Sequence, residues 1–168
     1  KNDSSSKTRK IGLLTDIGRK RKVDEDSILA ADLSFGINSK SHKLLLLAVA
    51  DGMGGHNGGK VASNLSVNTF KSSLIENAHS GGNKINSLLD KCFAITNSKV
   101  IKESKNNLEL IGMGSTLTVA AISNNFATIA NIGDSRAYLL NEKGILQVTK
   151  DHSWVAEQVE AGNLSKEE

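Results

Sequence analysis

Asp51 is the residue of this sequence best placed for chemistry. It stands where an unbroken apolar run, residues 44–50, meets a glycine-dense segment, residues 52–59. A continuous apolar run bounded by turn residues predicts a strand buried on both faces, so Asp51 would close a rigid core element. The glycines would let backbone approach a ligand, and a carboxylate beside backbone carbonyls suits a hard cation. The alternative interpretation of Asp51-Gly52 is an ordinary turn.

A second group of candidates precedes the next predicted strand. Asp24, Glu25 and Asp26 are consecutive, and they follow Arg21 by a few residues. Three adjacent carboxylates repel one another unless a cation or water shares them. The planar guanidinium of Arg21 suits a pair of phosphate oxygens. The alternative is a solvated acidic loop beside an ordinary surface arginine.

Two further segments contain polar residues next to glycine. Asp134 follows Gly133 between two predicted strands, which predicts a tight hairpin tip at the end of a sheet. A plain Gly-Asp turn is the alternative. Residues 112–118 contain two glycines followed by Ser115 and Thr116, and we interpret them as the hinged start of a strand with a structural role.

The glycine-dense segment also permits a nucleotide-binding interpretation. Residues 54–60 fit the pattern G-x-x-x-x-G-K, with Lys60 as its lysine, and they lie between a predicted strand and a predicted helix. The next residue is Val61, where that motif requires Ser or Thr for magnesium. The later strands predict an antiparallel meander rather than repeated βαβ units. Nucleotide binding stays open as an alternative.

Composition limits the class of protein. The 168 residues suffice for one domain with a real core. Cys92 is the single cysteine, which excludes a disulfide framework and predicts a reducing, cytoplasmic setting. No apolar stretch approaches the roughly 20 residues that span a bilayer. The first residues lack an apolar signal region and an initial Met, so we expect a processed or excised segment.

Charge is distributed unevenly along the chain. The net charge is +3, but residues 1–22 hold eight Lys or Arg and two acids, which leaves 13 basic and 16 acidic residues elsewhere. No aromatic residues interleave with the basic ones, so we expect no nucleic-acid partner. Residues 1–9 are predicted to be a disordered basic tail.

The order of elements predicts an α+β fold with helices packed on antiparallel sheet. Hydrophobic periodicity predicts two helices, at about 61–75 and 85–100, and a short helix at 153–161. Turn residues at 38–41, 80–83 and 106–107 separate the elements. The predicted strands cover residues 11–15, 27–33, 43–50, 115–122, 126–132, 135–140 and 145–148. The last four are predicted to form an antiparallel meander, with turns at 124–125 and 141–144.

Five segments in this order resemble the metal-dependent serine/threonine protein phosphatases of the type 2C, or PPM, class. The matching segments are residues 15–26, 50–56, 114–116, 131–138 and 149–153. The resemblance implies an α/β/β/α sandwich of two antiparallel sheets flanked by helices. It also implies hydrolysis of phosphoserine and phosphothreonine in proteins by a metal-activated water, without a phosphoenzyme. Phosphoproteins and a cognate Ser/Thr kinase would be its partners.

The resemblance also assigns roles to residues. Two Mn²⁺ or Mg²⁺ ions would share Asp51, and the carbonyl of Gly52 would bind one of them. Glu25 and Asp26 would hold the metals or their waters, and Arg21 would bind the substrate phosphate. The resemblance further places a third, weaker metal at Asp134.

Two departures from the family pattern matter. Met53 stands where many relatives have a His that is proposed to protonate the leaving oxygen. The family domain also continues further, with strands and two more metal-binding aspartates, so residues 10–168 correspond to its N-terminal two-thirds. We therefore expect a partial metal site. A catalytically silent phosphoprotein-binding or regulatory module is the alternative.

Overall fold

Two long strands form the frame that carries the candidate residues. The computed structural model describes residues 9–37, 40–54, 57–78 and 84–152. The first strands and helices are β1 (Asp26–Ile37), β2 (Lys40–Met53), α1 (Gly58–Ala78) and α2 (Ile85–Asn106). After a 3₁₀ turn at Leu108–Leu110 come β3 (Gly114–Ser115), β4 (Leu117–Ser123), β5 (Phe126–Ile132), β6 (Tyr138–Asn141) and β7 (Gly144–Gln147).

The strands form two antiparallel sheets. The larger sheet has the order β1-β2-β4-β5, and the short β3 pairs with the end of β2. β6 and β7 form a separate two-stranded sheet. The register of the first hairpin places Ala30 opposite Leu47 and Asp26 opposite Asp51. This register brings the last residues of β2 beside the acidic segment that precedes β1.

Both helices lie on one face of the larger sheet. Alternate residues of β2, among them Leu46 and Ala50, are fully buried in one core with Phe70 and Leu74 of α1. Burying each large side chain contributes about 1.5–3 kcal/mol relative to leaving it in water. The core extends to α2 through Cys92, which is fully buried. The two predicted helices are therefore confirmed, although Ile75, which the periodicity places on the apolar face of α1, is 39% exposed.

The opposite face of the sheet is more open. Leu45 is buried and Leu47 is half-buried, but Val49 is 47% exposed. An apolar cavity of about 340 Å³ lies over Leu47 and Val49, between β4 and residues 135–137. The prediction that the leucine-rich strand is buried on both faces is thus wrong at Val49, because the described helices cover only one face.

Two sequence predictions about strands are wrong. Residues 9–25 contain no strand, and Leu14 is 88% exposed. A strand needs a neighbour to accept its hydrogen bonds, and none of the described strands pairs with residues 11–15. The hairpin predicted around Asp134 is also absent. β5 ends at Ile132, residues 133–137 are irregular, and β6 does not pair with β5, whereas the predicted pairing of β6 with β7 is confirmed.

The boundaries of the first two strands also differ from the predicted ones. β1 and β2 are longer than the predicted 27–33 and 43–50, so Lys40 and Ser41 of the predicted turn belong to β2. The tail before Arg9, the helix stop at 80–83 and the helix at 153–161 lie outside the described residues. Among the described helices, none has the length and apolar character needed to cross a membrane.

Candidate active site

A polar cleft of about 160 Å³ lies at the end of the β1–β2 hairpin. Its lining includes the carboxylates of residues 16, 24, 25, 26 and 51 together with Arg21. Directly opposed residues of antiparallel strands point to the same face, and Asp26 opposes Asp51. The structure therefore brings together Arg21, Glu25, Asp26 and Asp51, which the sequence separates by up to thirty residues.

The cleft places several carboxylates close together, and this disfavours the ionised form of Asp26. Burial raises the pKa of the Asp26 carboxyl, and the charges of Asp51 and Asp24 raise it further. Lys60 opposes this shift. The pKa of Asp24 is lowered instead, because Thr15 and the backbone N–H of Asp26 donate hydrogen bonds to its carboxylate. A cation between the carboxylates would relieve the repulsion that Asp26 experiences.

Two more oxygens converge beside the first turn of α1. A Cβ added to Gly59 would lie 2.9 Å from the carbonyl oxygen of Gly52 and even closer to the carboxylate of Glu25. The N–H of Gly52 also donates to the backbone carbonyl of Glu25 at 3.3 Å. Glycine at position 59 thus leaves open a small space that a carboxylate and a carbonyl both face.

Helix α1 holds the backbone of the acidic segment. The Lys60 ammonium donates to the carbonyl of Asp26 at 2.7 Å, and the Ser63 hydroxyl donates to the carbonyl of Glu25 at 2.6 Å. Lys60 is thus engaged with β1, whereas the nucleotide-binding alternative needs it free to reach phosphates. The sheet is also antiparallel, unlike the βαβ order typical of that motif.

Arg21 lies at the rim of the cleft. Its guanidinium contacts the Glu25 carboxylate at 2.9 Å, and the Arg21 side chain is 74% exposed while that of Glu25 is 13% exposed. An exposed arginine in this position is accessible to an anion in solution. Its present partner, Glu25, is one of the residues to which the resemblance assigns a metal.

Hydroxyl groups support Asp51 from the neighbouring segment. The N–H of Asp51 donates to Oγ1 of Thr116 at 2.9 Å, and the N–H of Thr116 donates to the carbonyl of Asp51 at 2.9 Å. The Ser115 hydroxyl lies 3.1 Å from the same carbonyl and 2.8 Å from the carbonyl of Thr116, so these two acceptors share its one hydrogen. From the sequence, residues 112–118 were assigned only a general structural role. The two hydroxyl residues after Gly114 were the available signal that this segment supports Asp51.

Asp134 does not line the cleft. It is exposed, on the irregular segment after β5. Its neighbour Gly133 has φ +99°, and a Cβ there would lie 2.6 Å from the Thr116 methyl. Ser135 shares a 2.7 Å hydrogen bond with Thr116. The segment of Asp134 is thus connected to Asp51 through Thr116, although Asp134 itself stays apart from the other acids.

An ion pair that sequence reasoning missed fixes this same segment. The Arg136 guanidinium donates to both carboxylate oxygens of Asp151, at 2.9 and 3.0 Å from Nε. It holds the pKa of Asp151 below its usual range. The N–H of His152 donates to the carbonyl of Gly133 at 2.9 Å. Residues 149–152 therefore brace the segment around Asp134.

The donors present suit a hard cation but form an incomplete set. Within the described ranges, no group of three His, Cys, Asp or Glu side chains is arranged to hold a metal ion. Asp26, Asp51 and Glu25 offer carboxylates and Gly52 a carbonyl, so the available ligands are all oxygen. Oxygen ligands match Mg²⁺ or Mn²⁺ better than softer metals.

Comparison with known proteins decides the family. A sequence model of the family described as Protein phosphatase 2C matches residues 16–161, most of the chain. This chain belongs to the protein phosphatase 2C family. The sequence-based assignment to this family is thereby confirmed.

Bacterial members of the 2C family are similar over nearly the whole chain. The serine/threonine phosphatase Stp of Listeria innocua is 36% identical over 155 residues, which cover 92% of this chain and 59% of Stp. The protein phosphatase PhpP of Streptococcus pneumoniae is 35% identical over 158 residues, covering 94% of this chain and 61% of PhpP. The chain spans about three fifths of the length of these relatives.

Solved 2C phosphatases share the fold. The serine/threonine phosphatase PstP/Ppp of Mycobacterium tuberculosis superimposes with a TM-score of 0.70 at 35% identity, covering 89% of this chain and 57% of that one. The catalytic domain of PstP in complex with two manganese ions gives 0.68 at 33% identity, covering 89% and 59%. The α+β fold with antiparallel sheets and flanking helices is therefore confirmed.

Proposed function

We propose that this phosphatase 2C chain serves in metal-dependent hydrolysis of phosphoserine and phosphothreonine in proteins. The observation that carries the proposal is the opposition of Asp26 and Asp51 across β1 and β2, in a cleft with Arg21 at its rim. Family membership supports it, as do the names of the relatives. Phosphoproteins are the proposed substrates, supplied by a Ser/Thr kinase.

Each residue of the cleft has a proposed task. Asp51 would be shared by two Mn²⁺ or Mg²⁺ ions, while Glu25 and the carbonyl of Gly52 would hold one of them. Asp26 would hold the ions or their waters. Such ions, when bound, activate a water for attack on phosphorus and neutralise phosphoryl oxygens. The convergence of Glu25 and Gly52 beside Gly59, and the manganese in the PstP structure, support this assignment.

Arg21 is proposed to bind the substrate phosphate. The Arg21 side chain is 74% exposed, so its guanidinium can reach an anion that enters the cleft from solution. With a cation held at Glu25, the Arg21 guanidinium would be free to bind an anion in the cleft. A planar fork then binds two phosphoryl oxygens at once.

The proposal extends to a third cation, to the proton for the leaving oxygen and to the location of the protein. A third, weaker cation at Asp134 is supported by the resemblance and by the hydrogen-bonded connection from Ser135 to Thr116. Met53 is 67% exposed and its thioether has no proton to give, so water or another group would protonate the leaving oxygen. The single buried cysteine, Cys92, supports a reducing cytoplasmic location.

The test is phosphate release from a phosphothreonine peptide by the chain with and without Mn²⁺. Arg21→Ala should raise KM, and Arg21→Lys should recover only part of the loss because it keeps the charge but not the fork. Arg19→Ala, an exposed arginine two residues away, is the matched control. Release of phosphate that is indifferent to Mn²⁺, or to Asp51→Asn, would contradict the proposal.

A catalytically silent, phosphoprotein-binding module is the second candidate. One observation favours it: within the described residues, no three His, Cys, Asp or Glu side chains are arranged to hold a metal ion. Calorimetry with the same peptide and Mn²⁺ distinguishes the two. Binding that depends on Arg21 without phosphate release indicates the silent module, and release indicates the enzyme.

A further inference from the structure

The pairing of β2 with its neighbour is interrupted between the pairs Val49–Thr118 and Gly52–Ser115. β3 pairs Gly52 with Ser115, and β4 pairs Val49 with Thr118, so the same register places Thr116 opposite Asp51. In a regular antiparallel ladder, the two residues of every second opposed pair exchange N–H···O=C bonds. Here the N–H of Thr116 reaches the carbonyl of Asp51, but the N–H of Asp51 donates to Oγ1 of Thr116 instead.

A side-chain hydroxyl thus replaces a backbone carbonyl at the position of the candidate metal ligand. The displaced carbonyl of Thr116 accepts from the Ser115 hydroxyl at 2.8 Å. Because Oγ1 of Thr116 accepts from Asp51, its own hydrogen is available to Ser135, 2.7 Å away. One hydroxyl therefore connects the backbone of Asp51 to the segment that carries Asp134.

The methyl group of the Thr116 side chain is also closely packed. The methyl group of Thr116 faces Gly133, where a Cβ would lie 2.6 Å from it. The neighbouring Thr118 donates to Oδ1 of Asn131 at 2.6 Å, just before that glycine. The side chain of Thr116 is therefore held between two segments, and its hydroxyl has one favoured direction.

We propose that Thr116 is a positioning residue that fixes the backbone of Asp51 for cation binding and couples it to the Asp134 segment through Ser135. The inference rests on the proposed function for its cation. Without the hydroxyl, the N–H of Asp51 loses its acceptor and the end of β2 gains freedom. The carboxylate must then be ordered when a cation binds, which weakens binding.

Two substitutions at one position separate the hydroxyl from the shape of the side chain. Thr116→Val keeps the shape and removes the hydroxyl, whereas Thr116→Ser keeps the hydroxyl and removes the methyl. Thr128→Val, on β5 of the same sheet, is the matched control. Ser135→Ala keeps the acceptor for Asp51 but removes the connection to the Asp134 segment, and it serves if Thr116→Val does not fold.

The readouts are amide hydrogen exchange at Asp51, Mn²⁺ affinity by calorimetry, and the rise in Tm that Mn²⁺ produces. Loss of one acceptor predicts roughly tenfold faster exchange at Asp51 and roughly tenfold weaker Mn²⁺ binding in Thr116→Val. Thr116→Ser should restore both. A purely structural role would lower Tm with and without Mn²⁺ equally and leave the affinity unchanged.

The outcomes distinguish this inference from the proposed function. If Thr116→Val shows the exchange rate and the Mn²⁺ affinity of the unsubstituted chain, the positioning role is wrong. If Ser135→Ala leaves the Mn²⁺ affinity unchanged, the coupling to the Asp134 segment is wrong. If the unsubstituted chain binds no Mn²⁺, the proposed function fails, and faster exchange in Thr116→Val still supports the positioning of Asp51.

Discussion

Asp26 and Asp51 face each other directly across β1 and β2, twenty-five residues apart in sequence and adjacent in the cleft. Like charges opposed on antiparallel strands destabilise a sheet, and burial adds to the cost for Asp26. The opposed pair lowers the stability of the fold, but it also provides a place where a cation binds well. The following predictions test this relationship and the elements around it.

Asp51→Asn should stabilise the chain when no metal is present. Removing one of two opposed charges relieves repulsion of about 0.2–1 kcal/mol, and the backbone bonds of residue 51 to Thr116 remain available. Urea unfolding in a chelator at pH 7.5 measures the change. Asp32→Asn, at an exposed position of β1 opposite Leu45, is the control and should be neutral. A loss of more than about 1 kcal/mol in Asp51→Asn contradicts the repulsion argument.

Gly59→Ala should destabilise the chain although alanine favours helices. The new methyl would overlap the Glu25 carboxylate and crowd the carbonyl of Gly52. Overpacking of this kind costs about 1–3 kcal/mol, which exceeds the roughly 1 kcal/mol gained in helix propensity. Thermal unfolding provides the measurement. Gly12→Ala, where a Cβ would meet nothing within 4 Å, is the control; equal stability of the two variants would show that the space beside Gly59 is not confined.

The Arg136–Asp151 pair should give the chain a pH-dependent contribution to stability. Arg136 lowers the pKa of Asp151 in the folded state, so the contribution is present above the ordinary pKa of 3.8 and is lost as the pH falls through the lowered value. Asp151→Asn should therefore be less stable than the unsubstituted chain at pH 6 and converge with it in acid. Denaturation at a series of pH values checks this, with Glu142→Gln as an exposed control. A difference that persists unchanged at the lowest pH would contradict the assignment.

Local patterns in the sequence sufficed to predict much of the fold. Helix α1 follows from side-chain periodicity, and the burial of Leu46 follows from a continuous apolar run. Both signals depend only on the residues of one element. Pairing depends on partners elsewhere in the chain. The hairpins of β4 with β5 and of β6 with β7, whose strands are neighbours in sequence, were predicted correctly, but two other pairing predictions failed. Residues 11–15 have the composition of a strand but no described strand to pair with, and β6 pairs with β7 rather than with β5.

The acidic residues of the candidate site could be predicted from the sequence, but the residues that hold them in place could not. Asp51 is conspicuous because it closes a leucine-rich run, and Glu25 and Asp26 because they are consecutive acids. The hydroxyl of Thr116 could be assigned to Asp51 only from the register of β2 with its neighbours. The ion pair of Arg136 with Asp151 likewise joins segments whose proximity no local pattern reveals.

Calorimetric titration of the chain with Mn²⁺ tests most directly the central claim that Asp26 and Asp51 together bind a cation. We predict that the unsubstituted chain and Asp32→Asn bind Mn²⁺ alike, whereas Asp51→Asn and Asp26→Asn bind it at least roughly tenfold more weakly, because each removes one of the opposed carboxylates. Equal Mn²⁺ affinity in all four proteins would show that the pair at the end of β1 and β2 is not a cation site.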